Sequence, residues 1–290
     1  VPADLYLFFN DRLNISNAAA SLTASSTVQG YAINYVREAD LVKAWKGTDG
    51  LTNDEWLSAN GGSAGWLGTA GQTVYAVVAY DTRGAHQDTI KLQYGAVDDG
   101  AYATPTTAIT WAVGSPNTAE VTMEWKTFVI PGTAKQYYRI IQFGNERSEA
   151  TGTITAKIFN WGMFNAADVV KLSLDYPTEG ETSYDISSEF RYGSAKTAGG
   201  YQVFNKYAQP GQRFQVNFKP MKDTFWATIR DRLRTYEGPA RAMYVQKEGL
   251  YGLALANFSM CRLVGLEFKA NRPYMDEYLV SMEFETEPWV

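Results

Sequence analysis

Apolar side chains recur at every second position along much of this 290-residue chain, and that is the period of a half-buried β-strand. In Thr89-Ile90-Lys91-Leu92-Gln93-Tyr94, the side chains of Ile90, Leu92 and Tyr94 share one face and polar residues the other. Residues 153–158 repeat the pattern, whereas residues 74–80 and 138–143 are continuously apolar, as in strands covered on both faces. Asn60-Gly61-Gly62, Asp98-Asp99-Gly100 and Pro131-Gly132 separate these runs with turn chemistry. Eight Trp, 19 Tyr and 14 Phe beside 25 Gly reinforce the reading, since aromatics suit a pleated surface and glycines its turns. The expected fold class is mostly β.

Short strands at this spacing predict a β-sandwich or jelly roll over residues 1–168, with a second domain over residues 169–290. The boundary is expected in residues 165–171, before the loop-like Tyr176-Pro177-Thr178-Glu179-Gly180-Glu181. In the second half, residues 201–207 and 213–219 flank Gln209-Pro210-Gly211-Gln212 and read as one long hairpin around a type II turn. Tyr201, Phe204, Tyr207, Phe214, Val216 and Phe218 are its candidate assembly residues. One helix follows: Asp223 is the expected N-cap, Phe225, Ile229 and Leu233 the expected buried face, and Gly238-Pro239 the stop. Strands are expected at residues 242–246, 265–269 and 278–285, the last with Val280, Met282 and Phe284 inward.

Composition narrows function by exclusion. With 45% hydrophobic and 20% charged residues, the chain can bury a core. A net charge of −5 argues against a dedicated nucleic-acid surface. The single cysteine, Cys261, cannot form an internal disulfide and reads as a small core residue. One histidine, His86, leaves no pair of imidazoles for a metal, so no metal and no cofactor is expected. No apolar run reaches the roughly 20 residues of a membrane helix. The first ten residues are acidic, with an apolar run too short for a signal peptide.

Candidate chemistry is sparse. His86 lies in a polar loop without an evident nucleophile, and reads most simply as a surface residue. Asp98-Asp99-Gly100 offers carboxylates to Ca²⁺, but Asp-Gly is first a turn signal. The 31 acidic residues contain many pairs and single out none as a glycosidase dyad, so no catalytic residue is assigned and no enzyme activity is expected. Trp45, Trp56 and Trp66 sit in a Gly/Asn/Ser-rich region; exposed indoles can stack on sugar rings, although large aromatics more often fill cores. Trp66 and Arg83 are the candidate glycan contacts. Arg230, Arg232, Arg234 and Arg241 complement the helix C-terminus, or pair with Glu283, Glu285 and Glu287 of a neighbouring subunit.

Two resemblances emerge. Val36-Arg37-Glu38-Ala39-Asp40 to Trp45, residues 89–94, Tyr137-Tyr138-Arg139-Ile140-Ile141-Gln142-Phe143 and a closing strand to Phe159 resemble a galactose-binding-like, discoidin-type jelly roll. That resemblance implies end loops that contact glycans or proteins. Arg213-Phe214-Gln215-Val216-Asn217-Phe218, the helix, residues 238–245 and the terminal strand resemble the distal-tail and minor-tail proteins of tailed bacteriophages. This second resemblance implies a tail-tube-like α+β domain and a ring of three or six subunits. It also implies neighbouring tail-tube, hub or fibre proteins as partners, and a place in the virion tail after synthesis in the host cytoplasm. In that family the ring-forming domain is expected first, whereas here the sandwich pattern comes first. The expected function is a structural subunit of a tail tip or baseplate, its jelly roll contacting fibres or a host surface glycan. The alternatives are a free carbohydrate-binding β-sandwich protein and a polysaccharide-degrading enzyme.

Overall fold

The computed structural model describes residues 4–14, 20–38, 40–47, 55–61, 66–67, 72–81, 89–95, 109–112, 123–130, 135–143, 157–173, 184–189, 192–196, 202–206, 211–218, 220–237, 242–248, 258–270 and 276–286. The chain forms two units. One comprises Val1–Asn10, Ala39–Val42 and Asp168–Val290, the other Asp11–Glu38 and Lys43–Ala167. Strand β1 (Asp4–Phe8) is therefore not part of the sandwich, as its place in the sequence suggests, but of the sheet formed by the second half. Leu5 and Leu7 alternate inward and find their apolar partners there. The sandwich is thus an insertion after the first strand of the other unit.

The inserted unit contains β2 (Ser21–Ala24), β3 (Glu55–Asn60), β4 (Val74–Asp81), β5 (Thr89–Gly95), β6 (Ile109–Ala112), β7 (Met123–Ile130), β8 (Tyr137–Phe143) and β9 (Ile158–Asn165). A five-stranded sheet of order β2-β3-β8-β5-β6 and a three-stranded sheet β7-β4-β9 are both antiparallel. Leu57, Ala59, Leu92, Tyr138 and Ile140 of the first sheet share one core with Val74, Ala76, Val78, Phe128, Ile130, Trp161 and Met163 of the second. Strand β4, central in its sheet, also buries Val77 and Ala79, which explains its continuously apolar sequence. Of the strand expected at residues 153–158, the described part begins at Lys157; residues 153–156 lie outside the described residues.

The other unit continues with β10 (Val169–Ser173), β11 (Tyr184–Glu189), β12 (Tyr192–Lys196), β13 (Gln202–Lys206), β14 (Gly211–Asn217), β15 (Met221–Lys222), α1 (Asp223–Arg232), β16 (Ala242–Glu248), β17 (Phe258–Ala270) and β18 (Glu277–Thr286). Its eight-stranded sheet runs β10-β1-β16-β17-β18-β14-β11, with β15 on β18. Leu5, Leu7, Leu172, Val216, Val245, Cys261, Val280, Met282 and Phe284 form one core with Trp226 and Ile229 of α1 and with Leu233 just after it.

Two local readings are corrected here. Residues 202–206 and 211–217 are not partners in one hairpin: β13 pairs with β12, and β14 lies between β11 and β18, while Pro210 lies outside the described residues. Val216 stands opposite Met282, and that non-local apolar match outweighs a favourable local turn. The helix is capped by the extended Lys222 rather than by Asp223, which is its first helical residue. There Asp223 complements the positive end of the helix dipole. The buried face is Trp226, Ile229 and Leu233, while Phe225 is 41% exposed. A π-helical turn, Leu233–Glu237, follows α1; Gly238-Pro239 lies outside the described residues.

Candidate functional site

At one end of the sandwich, β3, β5 and β8 bring Asn60, Gly95 and Tyr137 to the same level. Backbone bonds from Gly61 N–H to the Gln136 carbonyl and from Gln136 N–H to the Gly95 carbonyl, both 3.2 Å, tie this end together. The Trp66 indole N–H donates to the Gln136 carbonyl at 2.9 Å. Its ring lies where a Cβ on residue 61 would be, so only glycine there leaves room for it. Trp66 meets Tyr138 edge to face at 6.0 Å and 73°, and Tyr138 meets Tyr94 at 6.3 Å. The Gln136 side-chain amide donates to Asn60 Oδ1 at 3.5 Å. Burial pushes the Tyr138 phenol upward, opposed by the polar Lys135 backbone nearby and reinforced by Tyr94, so it stays neutral. An indole beside two carboxamides combines an apolar face with groups that bond hydroxyls, the chemistry of a sugar contact. Trp66 is half-buried, more firmly seated than the exposed loop indole the sequence suggests.

Arg83 lies outside the described residues, as do His86, Asp98, Asp99 and Gly100. The strand ends that flank Arg83 are Asp81 of β4 and Thr89 of β5. Both are at the far end of their strands from Trp66, about 20 Å away at 3.3 Å per residue. The described strands therefore do not bring the flanks of Arg83 to the Trp66 end.

Sequence reasoning missed a second arrangement, on the outer face of the five-stranded sheet. The Arg139 guanidinium lies 4.3 Å over the Trp56 ring, and Arg139 is 2% exposed. Ser58 stands directly opposite Arg139 and is equally buried. An arginine inside the apolar run Tyr137–Phe143 was the available signal. The Val36-Arg37-Glu38 motif proves architectural. Arg37 ends a 3-10 turn, Ile33–Arg37, and donates to the carbonyls of Leu13 and Asn14. Burial lowers its pKa, and Asp11 opposes this. The Asp11 carboxylate accepts the Leu13 and Met163 backbone N–H groups at 3.0 and 2.9 Å. Trp45 is fully buried, its indole N–H directed at the Ser26 carbonyl at 3.2 Å.

In the other unit, Val216 and Phe218 are core residues, 1% and 2% exposed, and so do not present an assembly face. Phe204 of β13 is placed opposite Ser194 and Phe214 of β14 opposite Phe284; Tyr201 and Tyr207 lie outside the described residues. Arg232 approaches Asp168 at 3.8 Å and Arg230 approaches Asp231 at 3.5 Å, while Arg241 and Glu287 lie outside the described residues. Cys261 is buried in β17. Among the described residues, no cluster of three or more His, Cys, Asp or Glu side chains is placed to hold a metal. No helix among them is long and apolar enough to cross a membrane.

No protein family matches the sequence, and no curated protein matches it. Solved structures do. A Clostridium perfringens module, CpGH89CBM32-4, in complex with GlcNAc-α-1,4-galactose, is 11% identical over 53% of this chain and 94% of its own, with a TM-score of 0.32. The family 32 carbohydrate-binding module of C. perfringens NanJ in complex with galactose is 12% identical over 50% of this chain and 93% of its own, at 0.30. A fucolectin from striped bass (Morone saxatilis) serum is 9% identical over 96% of this chain and 98% of its own, at 0.35. These likenesses are remote, and the strand pairings themselves carry the fold.

Proposed function

We propose that this chain is a self-assembling structural subunit that displays a glycan-contacting β-sandwich, in the tail tip or baseplate of a tailed bacteriophage. The observation that carries the assembly reading is a pair of antiparallel pairings, β11 with β14 and β12 with β13. Strands β11 and β14 belong to the eight-stranded sheet, whereas β12 and β13 pair only with each other among the described residues. A two-stranded sheet is marginal alone, and among the described residues β10 and β11 are the outermost strands of the eight-stranded sheet. Repeated heterologous contacts between subunits would satisfy those edges and close a ring.

A second reading, a free carbohydrate-binding β-sandwich protein, is supported by the Trp66, Asn60 and Gln136 arrangement. Light scattering across a concentration series and glycan-array binding separate the two. A closed species of three or six subunits is expected of the ring-forming subunit. A monomer that binds glycans, with binding lost on Trp66→Ala, would favour the second reading. Turnover of a bound glycan would overturn both.

A further inference from the structure

Resting on the assembly reading, we infer that subunits meet head to tail along α1, with Phe225 of one copy entering a groove at the opposite end of the helix on the next. The groove, about 460 Å³, is lined by Arg230, Leu233, Arg234, Leu263, Val264 and Leu266. Its floor is apolar, and it lies in the size range of pockets that hold ligands. Val264 and Leu266 are 44% and 38% exposed. Val264 is the extra residue of the bulge between Leu263 and Gly265, a device that re-aims a side chain out of the ladder. The two guanidinium groups at the rim call for an occupant that brings an apolar side chain flanked by carboxylates.

The other end of α1 presents that chemistry. Phe225 is 41% exposed within the first turn. Asp223 and Asp276 are exposed beside it, joined by the bond from Asp223 N–H to the Asp276 carbonyl at 2.8 Å. Lys222 and Glu277 stand opposite each other on the adjoining strands, so among the described residues there the carboxylates Asp223, Asp276 and Glu277 outnumber the one cation, Lys222. At the groove, Asp231 beside Arg230 is the carboxylate within ion-pair distance. Head and tail are separated by a ten-residue helix, about 15 Å long, so one copy cannot fill its own groove. A heterologous contact of this kind generates a ring when the rotation closes.

Two experiments on the full chain test this. Phe225→Ser and the pair Arg230→Glu with Arg234→Glu should each raise the concentration at which the assembly dissociates by at least about tenfold, the effect of losing an interface anchor. Far-UV circular dichroism should be unchanged in these variants, because all three side chains are exposed. Exchanging the charges on both ends at once, with Asp223→Arg and Asp276→Arg added to the arginine pair, should restore assembly. Under mild oxidation, a variant carrying Phe225→Cys and Val264→Cys should give a ladder of cross-linked species, each single variant none. A ladder that stops at the dimer overturns the head-to-tail arrangement. Assembly undisturbed by the substitutions overturns this contact and leaves ring formation standing, whereas a wild-type chain that is monomeric throughout overturns both.

Discussion

Replacing Gly61 by alanine should unseat Trp66, because the added methyl would occupy the position of the indole ring. Three contributions are lost together. The indole N–H bond to the Gln136 carbonyl, at 2.9 Å, is worth about 1 kcal/mol net. The edge-to-face contact with Tyr138, at 6.0 Å, adds about 1 kcal/mol. Re-exposing part of a half-buried indole costs about 1–2 kcal/mol at ~25 cal/mol per Å². Gly61→Ala should therefore lower the stability of the sandwich by about 3 kcal/mol, and Trp66→Ala by a similar amount. The decisive variant is the double one. Once the indole is gone the methyl has space, so the double variant should also lose about 3 kcal/mol, not about 6. The readout is hydrogen exchange of β3 and β8 amides such as Leu57 and Ile140, which follows the sandwich separately from the other unit. Additive losses, or a Gly61→Ala chain as stable as wild type, would refute the reasoning.

Arg37→Met should destabilise the same unit by about 2–4 kcal/mol, because it leaves the Leu13 and Asn14 carbonyls without their donor in a buried setting; a urea midpoint within error of wild type would contradict that role. Tyr138 supplies a pH signature. Its folded pKa is raised by burial, so its contribution is fully present below the unfolded value of about 10 and is lost as pH rises above it. Tyr138→Phe should flatten this part of the alkaline loss in a stability–pH profile, and an unchanged slope above about pH 10 would show that the phenol is not held neutral.

What was legible in the sequence was local. The alternation Val280, Met282, Phe284 marks an inward face, and all three are buried at 2% or less, because a strand's period is fixed by its own backbone. Leu92 follows the same logic, whereas the continuously apolar run of β4 marks a strand buried on both faces. What was not legible depends on choices between equally good local patterns. Phe225-Ile229-Leu233 and Trp226-Ile229-Leu233 are both helical stripes, and only the sheet beneath selects the one that buries the larger indole. Pro210-Gly211 is a sound turn signal, yet the pairing of β14 with β11 and β18 spans far more chain. At the site, Trp66 stood out by residue type alone. Its seat on Gly61 and its bond to Gln136, 70 residues along the chain, are tertiary facts. Arg139 passed unnoticed because an apolar run hides which of its faces is covered.

The nested topology leads to a prediction that the apparent boundary at residue 168 would get wrong. A fragment of residues 169–290 lacks β1, which is hydrogen-bonded to β10 on one side and β16 on the other. It also lacks Leu5, Leu7 and Phe9, each fully buried in the core shared with α1. At about 2 kcal/mol per buried side chain, those three contribute about 6 kcal/mol, comparable with the whole stability of many domains. Without β1, β10 would lose its pairing strand and β16 would become an unpaired edge of the sheet. Such a fragment should lack a cooperative transition and should aggregate. Joining residues 1–10 to residue 168 through a short flexible linker should restore a single cooperative unfolding step by circular dichroism, because closing a short loop costs little. If residues 169–290 alone unfold cooperatively, with exchange-protected amides in both β10 and β16, β1 is dispensable and the sandwich is an N-terminal domain rather than an insertion.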